Sequence, residues 1–228
     1  MQEEDHVPVA EERRARGKWA GLDINQIIEA ARGLDPDVLT MKAVADRLGV
    51  DRKALSYHIS DRDTLLGMVA ADTVAAGFAD VEIATQATWQ HACRAYAVAL
   101  TDSASALGRL ADHLRLSNST YLQFLTPTEA LLAKLVGAGF SDETALRLLV
   151  MLTNICLSHA RDAAFAARAD ERPRPAQLRR ALDDPAARGF DHLERIASAA
   201  IDTYGTTQLH LSIDVFLAGA EALLGPGG

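Results

Sequence analysis

The sequence predicts an all-α fold in two parts, a small three-helix head followed by a larger helical body. Three observations carry that reading. The chain of 228 residues is 49% hydrophobic but only 5% aromatic, with alanine and leucine dominant, a composition that fills helices better than strands. Apolar residues recur three and four positions apart along most of its length, the period of one-sided helices. Charge is also unevenly spread over a formal total of -8. From Thr40 to Arg62 there are five basic and three acidic residues, whereas from Asp63 to Gly228 there are thirteen basic and nineteen acidic. A local balance of this kind, not the total, decides whether a surface can meet phosphates.

The composition also excludes classes. No apolar run reaches the length of a membrane span. The opening MQEEDHVPVAEERRARGKW is charged and lacks the apolar centre of a secretory signal, so a cytoplasmic location is expected. Cys93 and Cys156 lie in apolar helical runs and read as buried free thiols. His91, His113 and His159 fall on different predicted helices, without the close spacing of metal ligands. There is no phosphate-binding glycine loop and no nucleophile elbow. No enzyme activity, cofactor or metal site is expected.

Element by element, residues 1–18 read as a flexible arm, 19–79 as the head and 80–228 as the body. In the head, Asp23 can cap a helix whose stripe is Ile24, Ile27, Ile28 and Ala31. Asp35-Pro36-Asp37 breaks it. Thr40 caps the next helix, with Met41, Val44, Ala45 and Leu48 facing inward, and Gly49 stops it. Asp51 caps a short third helix with Ala54, Leu55 and His58 on its inner side. Ser60 or Asp61 opens a fourth that continues toward Phe78. In the body the period predicts helices at about 84–106, 108–116, 119–137, 141–168, 188–203 and 206–224. The stretch ADERPRPAQLRRALDDPAARG, with three prolines and many charges, reads as a long surface loop.

Two short capped helices joined by a glycine turn make a helix-turn-helix. Its second helix would project Arg52, Lys53, Ser56 and Tyr57, a polar set able to enter a major groove. An ordinary helical corner with a solvated basic face is the alternative. In the body, two helices are apolar on both sides. In 206–224, Leu209, Ile213, Phe216, Ala220 and Leu223 form one stripe, and Leu211, Val215, Ala218 and Ala222 a second. In 141–168, Leu148, Leu152, Ile155 and His159 share a face, with Leu149, Cys156, Ala160 and Ala163 on another. Helices of this kind are buried on both sides, either inside one core or against a second chain.

The segment LTMKAVADRLGVDRKALSYHISDRDTLL, Leu39 to Leu66, resembles the N-terminal domain of the tetracycline-repressor (TetR/AcrR) family. The Thr-Met start, the Ala-x-x-Leu-Gly-Val turn, the Leu-x-x-His-hydrophobic end and the paired leucines carry the likeness. The resemblance implies a DNA-contacting set of Thr40, Lys42, Arg52, Lys53, Ser56, Tyr57, His58 and Arg62. Two departures stand out. The family's usual tyrosine is Ser56 here, with Tyr57 one residue on, and its usual Asn-Lys is Asp61-Arg62, which would keep a cation for a phosphate. The body helices of this family surround a ligand cavity, which implies a lining of Trp89, Tyr96, His113, Asn118, Tyr121, Phe124, Asn154 and His159. The family also forms a four-helix bundle between protomers, which implies an interface of Leu148, Leu152, Ile155, Leu209, Ile213, Phe216, Ala220 and Leu223. The expected function is a homodimeric repressor released from double-stranded operator DNA by a small hydrophobic or amphipathic effector. The alternative is a sequestering helical protein with a degenerate head.

Overall fold

The computed structural model describes residues 22–114, 118–199 and 201–224, without the side chains of Arg109 and of residues 118–123. The arm expected at residues 1–18 lies outside the described residues. Among the described residues, ten α-helices and one 3-10 turn make up the regular structure and no strand occurs. The chain divides into two compact units. One holds the described residues up to Asp72 together with Asp112–Tyr121, and the other holds Thr73–Ala111 and the chain from Leu122 onward. The boundary expected at residue 79 lies within the second unit.

The first unit contains α1 (Ile24–Arg32), α2 (Met41–Leu48), α3 (Arg52–Ser56) and the start of α4 (Arg62–Ala76). Local chemistry sets each start. Asp23 Oδ1 accepts from Gln26 N at 2.9 Å while Gln26 Oε1 accepts from Asp23 N at 3.2 Å, a reciprocal capping box. Thr40 Oγ1 accepts from Ala43 N at 3.1 Å and Asp51 Oδ1 from Lys53 N at 2.7 Å. Of the two candidates for opening α4, Asp61 is the cap, its Oδ1 accepting from Thr64 N at 2.7 Å. These bonds, with the Ser60 and Thr64 hydroxyls, hold the Asp61 carboxyl below its ordinary range. Ile27, Ile28, Val44, Ala45, Leu55, Ile59 and Leu65 fill the core beneath.

The turn between α2 and α3 depends on one residue. Gly49 sits at φ 67, the left-handed region, and its N–H donates to Asp46 O while Val50 N donates to Ala45 O at 3.0 Å. The two bonds close the end of α2 as a Schellman motif.

The second unit is built on α5 (Trp89–Ala106), α7 (Asp142–Ala167) and α10 (Thr206–Ala222), with α6 (Asn118–Gly137) continuing into it. Thr88 and Ser141 cap α5 and α7. The helices α5 and α7 pack against each other, and small residues are buried on both: Ala92, Cys93, Ala97 and Ala104 on α5, Ala145, Cys156 and Ala160 on α7. Leu131 and Leu135 of α6 and Ile213 and Phe216 of α10 are also buried. Close packing reaches its limit where Gly77 meets Ser103. A Cβ on Gly77 would lie 1.7 Å from Ser103 Oγ, which is itself bonded to Ala99 O. Gly77→Ala is expected to lower stability by about 1–3 kcal/mol through overpacking. Ser103→Gly in the same chain should restore most of that loss in urea denaturation, and a neutral Gly77→Ala would show that the contact gives way freely.

Four stretches differ from the sequence expectation, the first being the helix expected from about 84, which begins at Trp89. The 108–116 helix is a 3-10 turn, Gly108–His113, entered through Gly108 at φ 53. The stretch expected as a surface loop contains α8 (Pro173–Leu182). Pro173 at its first position needs no N–H there, Ala176 is buried, and Glu171 pairs with Arg179 and Arg180. The 188–203 helix is shorter, α9 (Asp191–Ser198), and follows Gly189 at φ 79.

Candidate functional sites

The helix-turn-helix displays most of the residues expected to meet DNA. Arg52, Lys53 and Ser56 are exposed, and Tyr57 is 89% exposed. The Tyr57 ring stands edge-on to that of half-buried His58, with centroids 5.2 Å apart. The helix is short, so Tyr57 already lies at its C-terminal boundary. Ser56 Oγ donates back to Arg52 O at 3.2 Å, which turns its hydroxyl inward along the helix. Thr40 uses its oxygen as the α2 cap, and Lys42 is a surface cation 3.4 Å from Asp46.

Arg62, expected at a phosphate, makes two hydrogen bonds within the head. Its Nε donates to Leu39 O at 2.7 Å and an Nη to Pro36 O at 2.9 Å, with the side chain part-buried. It therefore ties the α1–α2 connection to the start of α4. A guanidinium held by two carbonyls in this way braces the head through its Nε and one Nη. Arg47 does a related task, donating to Gly33 O at 3.1 Å, and Arg32 pairs with Asp72 at 3.0 Å.

The residues expected to line one ligand cavity are dispersed. Trp89 is buried edge-on to Phe140, at 5.3 Å between centroids, and borders a cavity of about 580 Å³ walled by Ala130, Ala133 and Lys134. Tyr96 is buried against Phe78, and its hydroxyl lies 3.4 Å from Thr153 Oγ1. Phe124 is core. His113 belongs to the first unit, 4.0 Å from Asp63. The side chains of Asn118 and Tyr121 lie outside the described ones. Among the described side chains, Asn154 and His159 share a cavity, a groove of about 610 Å³ that Ile155 also lines. Ser158 and Asp162 extend its α7 wall, Gln208 and Ser212 form the α10 wall, and Arg174 and Thr203 close one end. The groove was not legible in sequence because Arg174 comes from the stretch read as a surface loop, and Thr203 from the end of the predicted 188–203 helix, which stops at Ser198.

Within that groove burial lowers the His159 pKa from its ordinary 6.5, with Asp162 and Asp202 opposing and Arg174 assisting. A lowered histidine pKa means that the unfolded chain takes up the proton first. The neutral ring thus contributes stability above pH 6.5, and the contribution is lost as pH falls through the folded-state value. His159→Gln should flatten the pH dependence of stability below 6.5, as followed by thermal melts; an unchanged slope would assign that dependence to other groups.

The expected interface also requires correction. Leu148, Leu152, Leu209, Ile213, Phe216 and Ala220 are buried within one chain, and Ile155 is half-buried. The six buried ones have little surface left for a partner. The second α7 stripe, Leu149, Cys156 and Ala160, is buried as well, and the exposed apolar residues of the two helices are Leu146, Val150 and Met151 on α7, outside both predicted stripes, with Leu211 and Val215 of the second α10 stripe. Leu223, just beyond α10, is the one expected interface residue that is exposed. Both cysteines are buried and free, with burial raising Cys93 to about 12 and Cys156 to about 11.

These features define a class: an all-helical chain with a helix-turn-helix head and a separate helical body carrying a groove and an exposed apolar face. No protein-family model and no curated protein sequence matches the chain. Solved structures do. A possible TetR-family transcriptional regulator from Streptomyces coelicolor A3(2) is 24% identical, over 88% of this chain and 100% of that one, with a TM-score of 0.67. The TetR-family protein ActR of S. coelicolor, in complex with actinorhodin, is 22% identical over 90% and 99%, with a TM-score of 0.67. A further TetR transcriptional regulator from S. coelicolor is 25% identical over 90% and 100%, with a TM-score of 0.62. The chain has the TetR-family fold. None of its described helices is long and apolar enough to cross a membrane.

Proposed function

We propose that the protein is a DNA-binding transcriptional regulator that works as a homodimer and responds to a small molecule. The observation that carries this reading is the head: a glycine-turned helix-turn-helix whose second helix leaves Arg52, Lys53 and Tyr57 exposed. Arg52 and Lys53 stand at the N-terminal end of that helix, where side chains reach base edges and flanking phosphates. Phosphate contacts would supply affinity and base contacts specificity.

The dimer forms through the exposed face of α7 and α10, which brings two heads together for two half-sites. That a structural neighbour of the same fold is known in complex with actinorhodin supports a ligand-responsive body. Ligand acts by binding two arrangements of the dimer unequally, since equal affinity would shift nothing. Repression relieved by ligand is the simplest outcome of that scheme.

The test is competition binding between the DNA upstream of the protein's own gene and random DNA, across a salt series. Arg52→Ala and Tyr57→Ala should each lose about 1–3 kcal/mol more on the specific site than on random DNA. Neutral substitutions on both DNAs would favour a sequestering protein whose head no longer reads sequence, a reading to which the inward-turned Ser56 hydroxyl lends support.

A further inference from the structure

The head carries a groove of its own, of about 550 Å³, between α1 and the end of α2. Gln26, Glu29 and Ala30 line it from one face of α1, at the three- and four-residue spacing of a helical stripe. Leu48 of α2 and Val50 of the glycine turn form the other wall, with Arg47 alongside. Leu22, the first described residue, lies at the end where the chain enters. Leu22, Leu48 and Val50 come from three separate segments, and each is only half-buried. The two charged groups are unequally committed. Arg47 donates to Gly33 O at 3.1 Å, whereas the exposed Glu29 carboxylate has neither ion pair nor hydrogen bond among the described residues.

Aliphatic side chains beside a free carboxylate suit an indole that adjoins a cation. The ring covers the aliphatic groups, its N–H finds an acceptor at the rim, and the cation meets the carboxylate. The sequence supplies that combination three residues from the groove. Residues 1–21 precede Leu22 and end in Arg16-Gly17-Lys18-Trp19-Ala20-Gly21. Three residues span at most about 10 Å, so Trp19 stays within reach of the groove whatever path the chain takes. Trp19-Ala20-Gly21-Leu22 also has glycine at its third position, where a type II turn needs it. Such a turn folds Trp19 back over α1.

We propose that Trp19 docks in this groove, on Leu22, Leu48 and Val50, with Arg16 and Lys18 set against Glu29. The occupant is the chain's own N-terminal segment and not a second copy, because a short tether holds the indole at an effective concentration in the millimolar range. Docking holds Arg13, Arg14 and Arg16 to the unit that displays Arg52 and Lys53, which adds cations where DNA would be met. That consequence rests on the regulator reading, whereas the docking does not.

The full chain tests both. Its two tryptophans are Trp19 and Trp89, so subtracting the emission of Trp19→Phe leaves that of Trp19. It should be blue-shifted from N-acetyltryptophanamide and quenched by acrylamide at least about threefold less. The Trp19 ring should show nuclear Overhauser contacts to the methyls of Leu48 and Val50. Glu29→Lys, at an exposed helical position, should restore most of the quenching at unchanged circular dichroism. Emission and quenching equal to those of the free compound would overturn the proposal. A protected ring without contacts to Leu48 and Val50 would do so too, as would protection that Glu29→Lys leaves intact. Protection that grows with protein concentration would assign the groove to a second copy instead. Trp19→Ser should weaken binding to random DNA by about threefold or more at low salt. Unchanged DNA binding by a chain whose Trp19 is docked would remove the regulator consequence and leave the docking standing.

Discussion

Val215→Asp is expected to leave the helical fold intact and produce a monomer without specific operator affinity, whereas Ile213→Asp, two residues away on α10, unfolds the chain. Val215 is 64% exposed and Ile213 only 1%. An aspartate at 215 stays solvated in a single chain but places a charge of the same sign on each copy inside a paired apolar face. An interface of stable dimers buries about 1,200–2,000 Å² or more, and an unpaired charge at its centre is enough to prevent it. An aspartate at 213 lies instead in the core, where an unpartnered carboxylate costs several kcal/mol, a large share of the total stability of a domain. Sedimentation equilibrium and circular dichroism separate the two outcomes. A Val215→Asp dimer of undiminished strength would place the interface on another surface.

Arg62→Ala carries the second large effect, and its sign separates two roles that sequence cannot distinguish. The guanidinium donates to Leu39 O and Pro36 O across more than twenty residues of chain. Hydrogen bonds to a charged group contribute about 1.5–3 kcal/mol each, with the lower end fitting a part-buried side chain. Loss of the pair should destabilise the head by roughly 2–3 kcal/mol, seen as faster amide hydrogen exchange at Val44 and Leu55. Arg62→Lys should recover little of it, because an ammonium cannot span both carbonyls with the same planar fork. Where the head remains folded, the salt dependence of DNA binding should be unchanged. A slope reduced by about one, with unaltered exchange, would return Arg62 to the phosphate backbone.

The head was legible because its signals are local. Asp23, Thr40 and Asp51 each cap a helix within three residues of themselves, and Gly49 closes a turn that any larger residue would strain. Arg62 misled for the opposite reason: a guanidinium suits a carbonyl as well as a phosphate, and the choice depends on contacts far away in sequence. The two stripes of α10 posed the same difficulty. Leu209, Ile213 and Phe216 are no more apolar in kind than Leu211 and Val215. Only the packing of α10 against α7 and α5 decides which stripe remains outside. The α8 helix was hidden by its prolines and charges, although Pro173 and Pro175 stand in a first turn that tolerates them. The groove inherited that error, since its end wall depends on Arg174.

The two buried thiols, one on α5 and one on α7, have a practical consequence for measuring how such a dimer moves. Only the thiolate attacks alkylating reagents, and burial that lifts Cys93 to about 12 and Cys156 to about 11 leaves almost none at neutral pH. The native chain is therefore expected to react slowly with maleimide and methanethiosulfonate labels while it stays folded, which mass spectrometry of treated protein checks. A single cysteine introduced at exposed Val38 would take up one spin label per copy, with no need to replace either native cysteine. Dipolar spectroscopy across the pair would then report the separation of the two heads directly, in the presence and absence of effector.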